Sequence, residues 1–148
     1  MAQNKSALSK RKPSVVTGIE RYLAENDVRV SPNMNVYEAS KEILDNKASG
    51  ATVVDASGAL VGVLSELDCL RAMVTSVYNG SDPGGALVSE IMTTQVETAQ
   101  ADTDMITVAK SMLETKHRRR PVIKDGKLIG QISCRQILRA VTEDLKND

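Results

Sequence analysis

Apolar residues recur along this chain with two alternating periods, and the order of those periods repeats. Ile19, Tyr22 and Leu23 fall on one side of a short helix predicted over 16–24, and Val28-Arg-Val30 alternates as an extended piece. Asn33 is placed to cap a helix through Asn46 whose stripe is Val36, Ala39, Ile43 and Leu44. Strands 51–54 and 60–64 flank the turn-rich Asp55-Ala-Ser-Gly58, and a helix follows from Glu66 to about Val77. Gly, Pro, Asn and Asp then crowd into Tyr78-Asn-Gly-Ser-Asp-Pro-Gly-Gly85, which reads as a linker. Beyond it Val88-Ser-Glu-Ile-Met-Thr93 is a short helical approach and 95–98 an extended piece. Thr103 or Asp104 starts a helix bearing Ile106, Ala109, Met112 and Leu113, ended by Lys116-His-Arg-Arg-Arg120. Strands 121–123 and 128–132 about the Asp125-Gly126 turn, and a helix over 134–144, complete the pattern.

The two halves share more than a pattern. Gly58-Ala-Leu-Val-Gly-Val-Leu-Ser-Glu-Leu-Asp68 returns as Gly126-Lys-Leu-Ile-Gly-Gln-Ile-Ser-Cys-Arg-Gln136, and Leu70-Arg71-Ala72 as Leu138-Arg139-Ala140. Each copy runs β-α-β-β-α in about 55 to 65 residues, a size at which a lone core is marginal. The expected fold is therefore α/β (α+β), with two repeats packed sheet to sheet in pseudo-two-fold symmetry. The expected division is a flexible basic tail over 1–15, repeats over 16–78 and 87–148, and a linker over 79–86. Ser65 with Asp68, and Ser133 with Gln136, have the spacing of capping boxes at the start of each last helix. Gln caps as well as Asp, so capping alone does not explain the difference between the copies.

Composition narrows the chemistry. The chain has no Phe or Trp and three Tyr, so bases have no aromatic platform and stacked single-stranded nucleic acid is disfavoured. Nineteen basic residues balance nineteen acidic ones, which leaves no global field toward nucleic acid or a membrane. Lys5, Lys10, Arg11 and Lys12 make the tail basic, but four cations without interleaved aromatics read as solvation. Cys69 and Cys134 are far apart without metal-ligand spacing, so neither zinc nor a disulfide framework is suggested. No apolar run approaches membrane-spanning length and no secretory signal is evident. These readings point to a cytoplasmic protein with reduced thiols. No catalytic constellation is present either: His117 has no nucleophile partner and no paired carboxylates mark a site.

The duplicated Leu-Val/Ile-Gly-x-Val/Ile-Ser corner, Val88-Ser-Glu-Ile-Met-Thr93 and Pro121-Val-Ile123 together resemble a tandem pair of cystathionine β-synthase (CBS) domains, a Bateman module of the stand-alone bacterial type, over about Val16 to Asp144. The resemblance implies adenine-nucleotide or other adenosyl ligands bound in clefts between the copies, and assembly into disc-shaped homodimers. It implies that Asp68 takes a ribose, since a carboxylate accepts from both neighbouring hydroxyls whereas Gln offers one carbonyl oxygen and a donor amide. Ser65 and Ser133 match the family's ribose or phosphate contact beside a helix N-terminus. Phosphate contacts for one corner come from the other copy, at Arg118, near His117 and Arg119, and at Arg135. Gly50, Ala51 and Val53 would line the adenine side. The reciprocal cleft would pair Gln136 with the uncharged Ser49 and Leu67. One working corner and one degenerate copy are thus expected, with AMP, ADP or ATP preferred over NAD or S-adenosylmethionine.

The sequence carries no output domain, so an effect of ligand would pass to a separate regulated protein or act through self-association. The competing expectation is a structural, dimerisation or interaction module in which Ser-x-x-Asp only caps a helix. A redox role for Cys134, at a helix start beside Arg135, is a more distant alternative.

Overall fold

The structure is a computed structural model that describes residues 18–24 and 27–146. The basic tail over 1–15 lies outside the described residues. A 3-10 turn at Ile19–Tyr22 precedes β1 (Arg29–Val30), α1 (Val36–Asp45), β2 (Gly50–Val54), β3 (Leu60–Ser65) and α2 (Glu66–Tyr78). The second copy supplies α3 (Val88–Ile91), β4 (Ala99–Gln100), α4 (Met105–Thr115), β5 (Arg119–Lys124), β6 (Lys127–Ser133) and α5 (Cys134–Lys146). The mixed α and β elements form two three-stranded sheets, β1-β2-β3 and β4-β5-β6. In each, the first pairing is parallel and the second is an antiparallel hairpin.

The chain folds as two compact units. One is Glu25–Val96; the other joins the N-terminal residues through Ala24 to Glu97–Asp148. Each unit thus takes the approach segment of the other repeat. In the first, Thr93 exchanges both backbone hydrogen bonds with Val63 on β3, each 2.9 Å, and Met92 lies on Gly62. In the second, Ala24 donates to the Gln131 carbonyl on β6 at 2.7 Å and Leu23 lies on Gly130. Gly62 leaves no room for a side chain, since a Cβ there would stand 2.8 Å from the Met92 sulfur and 2.9 Å from the Thr93 carbonyl oxygen. Residues 79–86 are more than a connection: Ala86 and Gly84 carbonyls accept from Val36 and Tyr37, the first amides of α1.

Each unit has its own core. Val30, Val36, Ala39, Ile43, Val53, Leu64 and Val88 pack in the first; Ile19, Met105, Val108, Met112, Val122 and Ile132 pack in the second. Among the described residues no helix is long and apolar enough to cross a membrane.

Several expected boundaries shift for identifiable reasons. Asn35, not Asn33, caps α1: its side chain accepts from Glu38 N–H at 2.8 Å and Glu38 reaches back to Asn35 N–H at 3.4 Å, while Asn33 N–H goes to Ser31. Leu44 is 68% exposed, because Val36, Ala39 and Ile43 already complete the buried face. On α4 the buried face is Met105, Val108 and Met112, whereas Ile106 and Leu113 are exposed. Apolar residues cover both sides of that helix, so periodicity alone does not select the inner one. The extended piece expected at 95–98 pairs as a strand only just beyond it, at Ala99–Gln100. The helix expected over 16–24 is a single 3-10 turn followed by extended Leu23, its first two residues lying outside the described ones. Arg119 and Arg120 belong to β5 rather than to a helix end, since Lys116 turns the chain out of α4 in a left-handed conformation (φ 59°).

Candidate functional site

The first corner is built where β2 and β3 hand over to α2. Gly50 pairs with Ser65 across the hairpin, and Glu66 N–H donates to the Ser49 carbonyl at 2.9 Å, which closes the strand ends together. A Cβ on Gly50 would stand 2.7 Å from the Leu64 carbonyl oxygen, so glycine permits this approach. Ser65 is extended (φ −98°, ψ 161°) as an N-cap must be, and its hydroxyl accepts from Asp68 N–H at 3.0 Å. Asp68 Oδ2 in turn accepts from Ser65 N–H at 2.9 Å. The other oxygen, Oδ1, faces Arg71 Nη1 at 3.4 Å. The Asp68 carboxylate is thus held in place by its own helix start, with 18% of its side chain still exposed. It borders a groove between α2 and the segment through Ala86 and Ile91.

Ala51 and Val53 lie elsewhere. Both point into the core of the first unit, at 4% and 0% exposure, among Val30, Val36 and Ile43. The corner therefore gathers Gly50, Ser65 and Asp68, and leaves Ala51 and Val53 as packing residues beneath them.

The second corner repeats the backbone and changes the chemistry. Arg119 pairs with Ser133, and Cys134 N–H donates to the Arg118 carbonyl at 2.9 Å, the counterpart of Glu66 to Ser49. Ser133 Oγ accepts from Gln136 N–H at 3.2 Å; among the described residues only Asp68 of the two corner side chains reaches back to the cap backbone. Arg118 and Arg135 are exposed and without ion pairs among the described residues, so this corner presents free cations where the first presents Ser49 and Leu67. The Cys134 thiol, exposed, donates to the His117 carbonyl at 3.4 Å. Cys69, by contrast, is buried beside the first corner. Burial pushes its thiol pKa up, which the Ser40 hydroxyl partly offsets and the Asp68 charge reinforces.

Two arginines stand out that the sequence pattern did not mark. Arg71 is the ion-pair partner of Asp68, legible only from their i, i+3 spacing on one helix. Arg120 looked like one member of a basic run, yet it is 4% exposed. Nη1 donates to Ser111 Oγ at 2.7 Å, and Nη2 lies 3.1 Å from Glu97, 3.1 Å from Thr115 Oγ1 and 3.4 Å from His117 Nδ1.

Two CBS domains match this sequence, over residues 19–75 and 88–143. The chain belongs to the CBS domain family. As a CBS pair it is 31% identical over 138 residues to the chloroplastic CBS domain-containing protein CBSX1 of Arabidopsis thaliana, a match covering 77% of this chain and 58% of CBSX1. The pair thus spans less than two thirds of that relative's length. Arabidopsis CBSX2, crystallised in complex with AMP, superposes with a TM-score of 0.74 at 30% identity, covering 86% of this chain and 97% of that one. The cytosolic domain of the Mg2+ channel MgtE in complex with ATP superposes with a TM-score of 0.70 at 27% identity, covering 83% and 48% respectively.

Proposed function

We propose that this CBS pair is a regulatory, energy-sensing module that binds an adenine nucleotide through the Ser65 and Asp68 corner, with phosphate held by Arg118 and Arg135 and assisted by His117. The observation that carries the reading is the difference between the corners. Asp68 is a pre-positioned carboxylate with one oxygen committed to the cap and the other facing only Arg71, whose side chain is 65% exposed. A ribose diol needs such an acceptor, and a phosphate needs the unpaired cations that the second repeat offers. Relatives crystallised with AMP and ATP support the ligand class. Ser133 and Gln136 form the weaker corner, and Gly50 lets a ligand lie against the strand ends. Ala51 and Val53 act from below, through packing. AMP, ADP and ATP are the favoured ligands, ahead of NAD and S-adenosylmethionine. The module acts as a homodimer, and its output passes to a separate protein.

Thermal melting with each of those five ligands, on wild type and Asp68→Ala, tests this reading. Ligand at a hundred times its dissociation constant adds about 2.7 kcal/mol, or roughly 5 to 10 °C for a chain of this size. The closed hydrogen-bond ring of Ser65 and Asp68 is also what a ligand-free structural module would need. No shift with any ligand would establish that second reading; an equal shift in Asp68→Ala would remove the ligand from this corner.

A further inference from the structure

The two repeats act as controls for one another, and at one place they differ sharply. The sheet registers equate Ala51 with Arg120, through Gly50 to Ser65 and Arg119 to Ser133. They equate Val28 with Glu97, through Val30 to Val53 and Ala99 to Val122. The helix-end bonds Ala48 N–H to Ile43 and His117 N–H to Met112 equate Ala48 with His117. In the first repeat these three positions are Val28, Ala48 and Ala51, all in the apolar core. In the second they are Glu97, His117 and Arg120, joined in a polar network whose Arg120 Nε is buried without a partner.

The fold therefore does not require a cation at this position, and burying one costs more than burying alanine. What distinguishes the second repeat is the loop that the network holds. Arg120 Nη2 meets His117 Nδ1, and His117 adjoins Arg118 at the turn that Lys116 makes out of α4. A guanidinium offers only N–H donors, so Arg120 Nη2 beside His117 Nδ1 at 3.4 Å orients the ring. We infer that Arg120 is a positioning residue that, through His117, orients the 116–118 loop so that Arg118 meets the phosphate of a bound nucleotide. This inference rests on the nucleotide reading above. Arg120 itself touches no ligand; it selects phosphorylated ligands over adenosine.

Calorimetric titration of adenosine, AMP and ATP into wild type, Arg118→Ala, the double variant Glu97→Val with Arg120→Ala, and their combination tests it. The double variant carries the first repeat's residues at the paired positions. It is expected to melt cooperatively and bind adenosine within about twofold of wild type, while AMP and ATP weaken roughly tenfold, as for one misplaced charge-assisted hydrogen bond. Arg118→Ala is expected to cost little further in that background. Equal losses for adenosine and AMP, no loss, or the same Arg118→Ala cost in both backgrounds would overturn the inference. So would a lowered melting temperature with phosphate selectivity intact, which is the signature of a pair that merely replaces the Thr52 N–H to Val28 bond that Pro121 cannot make. If the double variant does not fold, Arg120→Lys keeps a cation for Glu97 and must show the same selective loss in smaller degree. Binding of none of the three ligands by folded wild type would overturn the nucleotide reading first and this one with it.

Discussion

Ser65 and Asp68 each hold the other's backbone: the hydroxyl accepts Asp68 N–H at 3.0 Å and the carboxylate accepts Ser65 N–H at 2.9 Å. The acid that starts α2 is therefore the acid proposed to take a ribose, and the two roles separate by substitution. Asp68→Asn keeps an acceptor for Ser65 N–H and loses the charge. It should cost less than about 1 kcal/mol of folding stability. Nucleotide affinity should fall tenfold or more, because hydrogen bonds to a charged group are worth about 1.5–3 kcal/mol. Denaturant melts and calorimetry on the same sample give both numbers. A stability loss with undiminished affinity would mean that Asp68 is only a cap.

Much of this corner was legible because its chemistry is local. Ser65 and Asp68 sit three residues apart at a strand-to-helix switch, and their duplication at Ser133 and Gln136 exposes the difference between the copies. Arg120 was not legible, because its partners Ser111 and Glu97 stand 9 and 23 residues away and a basic run reads as solvated. The exchange of approach segments was hidden for a similar reason. Nothing in Val88–Ile91 or Ile19–Tyr22 says which hairpin each covers, and only the pairing of Thr93 with Val63 and of Ala24 with Gln131 decides it. The α4 stripe failed differently, since apolar residues on two faces left the inner one to tertiary packing.

The exchanged segment predicts a sensitive glycine. A methyl at Gly62 would collide with Met92 and with the Thr93 carbonyl, and the latter is backbone already bonded to Val63. Gly62→Ala should therefore destabilise by about 1–3 kcal/mol. At Gly130 the nearest atom is the end of the flexible Leu23 side chain at 3.1 Å. Chemical denaturation of Gly62→Ala, with hydrogen exchange at Val63 and Thr93, would show the 88–93 segment loosening first. Unchanged protection there would contradict the contact.

The two thiols should report their surroundings. Cys134 is exposed, whereas Cys69 is buried with its pKa raised by desolvation. One thiol per chain should react promptly with an aromatic disulfide reagent in native buffer, and the second only on unfolding. Cys134→Ser should abolish the fast phase. A fast phase that survives this change would place Cys69 within reach of solvent, against its 4% exposure.

Asp55 gives a pH test. Hydrogen bonds from the Ser57 hydroxyl and from the Ala59, Ser57 and Gly58 backbone hold its carboxyl below the usual range in the folded chain. A lowered folded pKa means that the stabilisation is fully present above the unfolded value, about 3.9, and is lost as pH falls through the folded value. The stability difference between wild type and Asp55→Ala should be constant near neutrality and shrink below about pH 4. Parallel denaturation curves across that range would show that the turn does not depend on the charge.

Leu67, Leu70, Val74 and Val77 are all exposed on α2, at 60%, 58%, 46% and 62%. Their spacing of three, four and three residues makes one continuous stripe, the pattern of a helix that packs against a like helix. An apolar stripe of this kind on water is unfavourable unless covered, and a second copy of α2 offers the same stripe in return. We therefore expect the proposed homodimer to use it. Leu70→Glu with Val74→Glu should shift sedimentation from dimer to monomer while circular dichroism stays unchanged, because both residues face solvent within the single chain. Dimerisation that persists in this variant would move the interface away from α2.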